Sequence, residues 1–369
     1  MKKALIVFVV FIALSLVYYF TYSAIFPYDN SSNKLQPLQN AAINDSLFLQ
    51  ETNYEKQMLD QVLPFVEAKR ESGKFNNNNR QIAYEYYLIE NPKSNIVISH
   101  GFSERKEKYR ELAYYFLNLG YQVFIMDHYS HGHSDRISND SSLIYVERYE
   151  DFTEDLKTFI VDVVKPQSKN VSVVLFGHSM GGAIAARTVE LYPNIIDALV
   201  LNAPMMKMTN LPPDAIKHVV SDVMLMLNQD KAYALGQKPF NPETDQQYQP
   251  KIPTTNSTAK GKFWHKYTLS ITQQPSRGAS WKLVSEFLRL THDVTAIENI
   301  KRIQVPILMF QAEDDGWVDG EGQLTFANHC KNIQFYLVKG AKHEIYIEQN
   351  EVFIPYFNTL NQFILQSTH

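Results

Sequence analysis

Cysteine is almost missing from this chain: Cys330 is the only one in 369 residues. A single thiol excludes an intramolecular disulfide and any cysteine-cluster metal site. It reads as a small apolar filler near a helix end. A strong charge of one sign is lacking too, with 35 Lys and Arg against 39 Asp and Glu, a net charge of −4. Nucleic-acid binders carry a marked basic excess, so nucleic acid is not an expected partner. No internal repeat is visible. What is present is 45% hydrophobic and 20% charged residues. That balance suits a globular chain long enough for one large domain with an insertion, or for two ordinary ones.

The N-terminus has its own absence. After Lys2 and Lys3, no charged side chain occurs from Ala4 to Tyr28. At about 1.5 Å per residue a helix of that length covers a bilayer core of roughly 30 Å. Two readings stay open for residues 1–28: an uncleaved signal-anchor, or a signal peptide ending near Ser23 or Ala24. Both keep Lys2 and Lys3 inside and export the remainder. No cysteine follows the run, so a lipid-modified N-terminus is excluded. Residues 29–75 read as a polar linker, Asp29 to Asp45, followed by a helix with apolar spacing at Met58, Val62, Phe65 and Val66 between Leu47 and Ser72. Asn76 to Asn79 reads as a loop.

From residue 76 to 369, apolar strands alternate with helical segments. Strands are expected at Ile82–Ile89, Asn95–Ser99, Tyr121–Asp127, Val171–Phe176, Ala198–Asn202, Pro306–Gln311 and Ile333–Val338. Helices are expected between them. This alternation predicts an α/β fold: a mostly parallel sheet with helices on both faces. Ligands of such sheets sit beyond the carboxyl ends of the strands. The segment from about 205 to 302 breaks the pattern and reads as a helical cap. Its Met205, Met206 and Met208 read as core or, as a group, as the lining of an acyl-chain groove.

The motifs fall at those strand ends. Gly177-His178-Ser179-Met180-Gly181 joins a predicted strand to a predicted helix, the context of a nucleophile elbow. A serine hydroxyl is a poor nucleophile until a base takes its proton, and the base needs an orienting acid. In this architecture the chain order is serine, acid, histidine. The late strand ending at Gln311 is followed by Glu313, Asp314, Asp315 and Asp319, and Asp315 is the preferred acid over Asp314. The last strand is followed by His343, whereas His329 lies in a predicted helix and His369 in the tail. Backbone donors for an oxyanion are expected from Met180 and from Phe102, in the loop Ser99-His100-Gly101-Phe102. His131 and His133 read as braces of another loop. This chemistry needs no metal and no cofactor.

Taken together, several segments carry a resemblance. They are His100-Gly101-Phe102, Tyr109 to Ala113, Asp127-His128 with Gly132-His133-Ser134, Arg148-Tyr149 with Asp155-Leu156, Gly177 to Gly182, Gln311 to Asp315 and Lys339 to Glu344. The chain resembles the lysophospholipase and monoacylglycerol-lipase branch of the α/β-hydrolases from roughly Gln81 onward, and most closely the bacterial inner-membrane lysophospholipase type. The resemblance implies Ser179 as nucleophile, Asp315 as acid, His343 as base, and Phe102 and Met180 as oxyanion donors. It implies cleavage of the acyl ester of a lysophospholipid or a monoacylglycerol. Tethered by the N-terminal segment, such a protein would sit at the bacterial inner membrane with its catalytic domain in the periplasm, or be secreted if the leader is cleaved. The cap carries little of the resemblance, so the reaction is better implied than the substrate.

Overall fold

The computed structural model describes residues 27–38, 45–209, 213–272 and 275–368, with Ile12, Ala13, Val17 and Thr21 ahead of them. The expected leader, residues 1–28, therefore lies almost wholly outside the described residues. Among the described residues no helix is long and apolar enough to cross a membrane.

One sheet of nine strands organises the chain. Its strands are β1 (Leu35–Pro37), β2 (Arg70–Asn77), β3 (Arg80–Tyr87), β4 (Asn95–Ser99), β5 (Gln122–Met126), β6 (Val173–His178), β7 (Ala198–Asn202), β8 (Ile307–Ala312) and β9 (Ile333–Val338), in the spatial order β1-β9-β8-β7-β6-β4-β5-β3-β2. Every pairing from β1 across to β5 is parallel, and only β3 against β5 and β2 against β3 are antiparallel. The central strands read as unbroken apolar runs because both of their faces are covered. In β5, Phe124 and Met126 enter the core on one face while Val123 and Ile125 enter the core on the other. Side-chain alternation along a strand produces this split directly.

Helices α1 (Arg110–Asn118), α2 (Glu150–Thr158), α3 (Met180–Leu191), α4 (Asp214–Met226), α5 (Thr258–Ile271), α6 (Trp281–Thr295), α7 (Gly320–His329) and α8 (Asn350–Ser367) clothe the sheet. Between β7 and β8, α6 packs on α4 and on α3, the helix that follows the elbow. The third long helix of that insertion, α5, goes elsewhere. Its Phe263 meets Tyr54 edge-to-face at 5.6 Å, and Ser257 at its N-cap bonds Glu51 at 2.7 Å. Met205 and Met206 are core residues, and Met208 bridges to Val318.

Two strands differ from the sequence reading. β1 lies in the stretch expected to be linker, where Leu35 to Pro37 pair with Phe335 to Leu337. It is only three residues long, Leu35-Gln36-Pro37, and its proline is tolerated because the strand is at a sheet edge. β2 occupies residues expected to be the end of a helix and a loop, so a boundary at 76 falls inside a strand. The helix ends at Glu67, and β2 turns into β3 through Asn78 and Asn79 alone, at φ +48° and +62°. Asparagine tolerates these left-handed angles, which a two-residue hairpin requires. Cys330 is buried at the end of α7, where Lys34 donates to its carbonyl oxygen at 2.5 Å.

Candidate active site

Ser179 is the single residue between β6 and α3. Its backbone sits at φ +53°, ψ −122°, a conformation that costs a non-glycine residue of order 1–3 kcal/mol and must be held by its surroundings. Four hydrogen bonds hold it. Ser179 N–H donates to Asn202 O at 3.1 Å, and Ser179 O accepts from Gly182, Ala183 and Met205 at 2.9, 3.2 and 2.9 Å. The turn is tight enough to dictate its glycines. A Cβ on Gly181 would lie 2.1 Å from Ser99 O, and one on Gly177 would lie 2.7 Å from Gly181 O.

Three side chains distant in sequence meet at the carboxyl ends of β6, β8 and β9. His343 Nε2 lies 2.8 Å from Ser179 Oγ, and His343 Nδ1 lies 2.7 Å from Asp315 Oδ2. Ser179 and His343 are 7% and 6% exposed, so little water competes for these bonds. Asp315 is fixed from its other side: Oδ1 accepts the N–H of Trp317 at 2.8 Å and of Val318 at 3.1 Å. Burial pushes the Asp315 carboxyl up, but its bond to His343, the His343 charge and the two backbone donors outweigh that and hold it below the usual carboxylate value. The neighbouring acids do other things. Glu313 and Asp314 are exposed, and Glu313 accepts the Gly340 N–H at 2.8 Å.

The loop after β4 faces the elbow. Among the described residues no protein acceptor takes the N–H of Phe102 or of Met180. His100 is buried beneath this loop. Its Nε2 accepts the His128 N–H at 3.0 Å, which leaves the proton on Nδ1 to donate to Gly101 O at 2.8 Å. His131 is buried too, and its Nδ1 lies 3.0 Å from Tyr129 O, while His133 Nε2 lies 2.8 Å from Arg105. His131 therefore bonds within its own loop, whereas His133 reaches across to the segment after β4.

The sequence reading left out a buried polar group beside these residues, built from Glu104, Lys108, Tyr109, His178, Glu344 and Tyr346. Its one sequence signal is Glu104 and Lys108, an opposite-charge pair at i,i+4 directly after the Phe102 loop.

The serine aminopeptidase S33 family (Hydrolase_4) matches this chain over residues 90–350. The chain belongs to that family, and its fold is the α/β-hydrolase fold. Lysophospholipase L2 of Escherichia coli K12 is 40% identical over 110 residues, 30% of this chain and 32% of that protein. The chain thus matches about a third of that relative's length. Monoglyceride lipase of Homo sapiens is 25% identical over 280 residues, 75% of this chain and 84% of that protein. Among solved structures, a soluble variant of monoglyceride lipase from Saccharomyces cerevisiae, in complex with a substrate analog, superposes with a TM-score of 0.62. It has 18% sequence identity and covers 81% of this chain and 95% of that one.

Proposed function

We propose that this chain is a serine hydrolase that cleaves the acyl ester of single-chain lipids, with lysophospholipids as its substrates. Ser179 is the nucleophile, His343 the base and Asp315 the acid that orients it. His343 Nε2 takes the Ser179 proton as Oγ attacks the ester carbonyl carbon. The oxyanion that forms accepts hydrogen bonds from the N–H groups of Phe102 and Met180. As the tetrahedral intermediate collapses, His343 returns the proton to the departing alkoxide oxygen, leaving an acyl-enzyme. Water, deprotonated by the same imidazole, then releases the fatty acid and regenerates Ser179.

The observation that carries this reading is the hydrogen-bonded line from Ser179 through His343 to Asp315 at 2.8 and 2.7 Å. The lipid part draws on the relatives' names and on two apolar features. Phe102 meets Phe287 of α6 edge-to-face at 6.0 Å beside the oxyanion loop. On α4, Ile216 and Val220 are 39% and 36% exposed, and Leu227, which caps its C-terminal end, is 56% exposed. A monoacylglycerol is the second substrate reading, favoured by the human relative. The N-terminal uncharged run would tether an exported catalytic domain to the inner membrane.

The test is fatty-acid release from lysophosphatidylcholine and from monoacylglycerol by purified protein, with Ser179→Ala beside it. Loss of turnover and of fluorophosphonate labelling in Ser179→Ala is the expected result. Undiminished turnover there refutes the assignment, and absence of labelling in the parent chain indicates a lipid-binding protein on a hydrolase fold. A higher rate on monoacylglycerol overturns the choice of substrate.

A further inference from the structure

Glu104 lies just beyond the turn that presents Phe102, and its side chain is 6% exposed. Each of its oxygens is fully engaged. Oε2 accepts the Gly101 N–H at 2.7 Å and the Tyr109 hydroxyl at 2.6 Å. Oε1 accepts Lys108 Nζ at 2.8 Å and the Tyr346 hydroxyl at 2.6 Å. Lys108 also donates to Glu344, the neighbour of His343, at 2.5 Å. His178 Nε2 lies 4.0 Å from Oε1, and the His178 ring is 4.8 Å from that of His343. A single carboxylate therefore borders the loop after β4, the elbow after β6 and the loop after β9.

The bond to Gly101 has a geometric consequence. A peptide unit is planar and trans, so its C=O and N–H point in opposite directions. Gly101 O is held by the Glu104 N–H at 3.3 Å and by His100 Nδ1 at 2.8 Å. The other end of that peptide is the Phe102 N–H, which must then face away from both partners. Gly101 is the residue of this loop freest to rotate, and Ser103, two residues on, is already at φ +59°. The carboxylate on the Gly101 N–H limits that freedom from the preceding peptide. Without it, the Gly101–Phe102 peptide can turn and withdraw its donor.

Resting on the hydrolase reading above, we propose that Glu104 is a positioning residue: its buried carboxylate holds the Gly101–Phe102 peptide with the Phe102 N–H aimed at the oxyanion. Burial alone would push this carboxyl up, but the Lys108 charge and the bonds from Lys108 and Tyr109 outweigh it and hold the group well below the usual range. It therefore stays ionised, as an acceptor for N–H and O–H donors must. The carboxylate touches no substrate atom. It acts through the backbone.

Two variants test this. Glu104→Met removes both acceptors at similar length. Glu104→Gln keeps one carbonyl oxygen, which can still take the Gly101 N–H. Losing one oxyanion donor lowers kcat by about 10²–10³-fold, so kcat per fluorophosphonate-titrated site should fall by that factor in Glu104→Met, with KM changed less than about twofold. Glu104→Gln should recover most of the loss. A merely structural role predicts fewer active sites with normal kcat per site, and that result overturns the proposal. Amide hydrogen exchange across residues 100–103 gives a readout that needs no turnover. It should accelerate in Glu104→Met relative to the parent chain, and unchanged exchange overturns the proposal even if the parent chain proves to have no Ser179-dependent activity.

Discussion

Replacing Asp315 by asparagine should damage this site more than its small change in shape suggests. The reason lies in what holds each oxygen. Oδ1 accepts two backbone N–H groups, from Trp317 and Val318, and Oδ2 accepts one N–H from His343. An asparagine can turn its NH₂ toward only one of these positions. Facing the two backbone donors would break two hydrogen bonds and oppose donor to donor, so the amide oxygen takes the Oδ1 position. The NH₂ then points at His343 Nδ1 and donates to it. That fixes the imidazole proton on Nε2, which now donates to Ser179 Oγ instead of accepting from it. The base is present and placed, yet in the wrong tautomer. The same exchange in serine proteases lowers kcat by about 10⁴-fold. We expect a fall of about 10³–10⁴-fold here, equivalent to about 4–5.5 kcal/mol at about 1.36 kcal/mol per decade. Asp315→Ala leaves the imidazole free to choose its tautomer and should lose about tenfold less. Ester hydrolysis and the rate of fluorophosphonate labelling measure both variants. An asparagine variant retaining more than a tenth of the activity refutes the reasoning.

Stability should fall as pH drops below about 6.5. Burial holds His128 and His131 well below their ordinary range and His178 down to about 3. They stay neutral in the folded chain and take protons once unfolded. The stability they contribute is complete above about pH 6.5 and is lost toward their folded values, at about 1.4 kcal/mol per pH unit for each. Glu85, Asp155 and Glu190, held up by burial, work in the opposite sense, but burial lowers His100 and His218 as well, so five histidines stand against three carboxyls. Urea midpoints should therefore be lower at about pH 5.5 than at about pH 7.5, and a rise would contradict the burial argument. At the far hairpin, Asn79→Val forces a β-branched residue to φ +62° and should destabilise by about 1–2 kcal/mol, with kcat per folded molecule unchanged. Gly181→Ala places a Cβ 2.1 Å from a backbone oxygen. A destabilisation of at least about 3 kcal/mol, seen as lost soluble yield or a lowered melting temperature, is expected there.

The parts of the fold legible in the sequence were those with one dominant signal. Strands buried on both faces appear as apolar runs, and β4 to β9 fall close to where those runs place them. β1 and β2 carry no such signal. β1 is held by backbone pairing to β9 at a sheet edge, and β2 alternates between half-buried and exposed positions, so tertiary pairing decides their conformation. The elbow was legible for a different reason. Steric demand at Gly177 and Gly181 and the strand-to-helix change mark it locally. Glu104 was not, because its local partners, Gly101, Lys108 and Tyr109, do not by themselves mark it, and the two that join it to the other loops, His178 and Tyr346, are far away in sequence.

Asp315 and His343, the proposed acid and base, show how sheet register completes what a motif leaves open. Asp314 and Asp315 are chemically equivalent in the sequence, and the choice between them turns on direction. β8 and β9 pair in parallel through Ala312 and Val338. The pairing then continues past the strands, with Glu313 N–H on Val338 O at 3.2 Å and Asp314 N–H on Ala341 O at 2.9 Å. These two bonds lace the loop after β8 to the loop after β9. They occupy the Asp314 backbone, leave its side chain in solvent, and bring Asp315 round to the inner side, beside His343. The loop after β9 receives its own fixings, since the Lys342 N–H donates to Glu348 at 2.8 Å and the Glu344 N–H to Thr254 O at 2.7 Å. His343 is thus clamped on both sides by backbone bonds before its ring meets either partner. Preorganisation of that kind lets the imidazole span Ser179 and Asp315 without paying for its own ordering at each turnover.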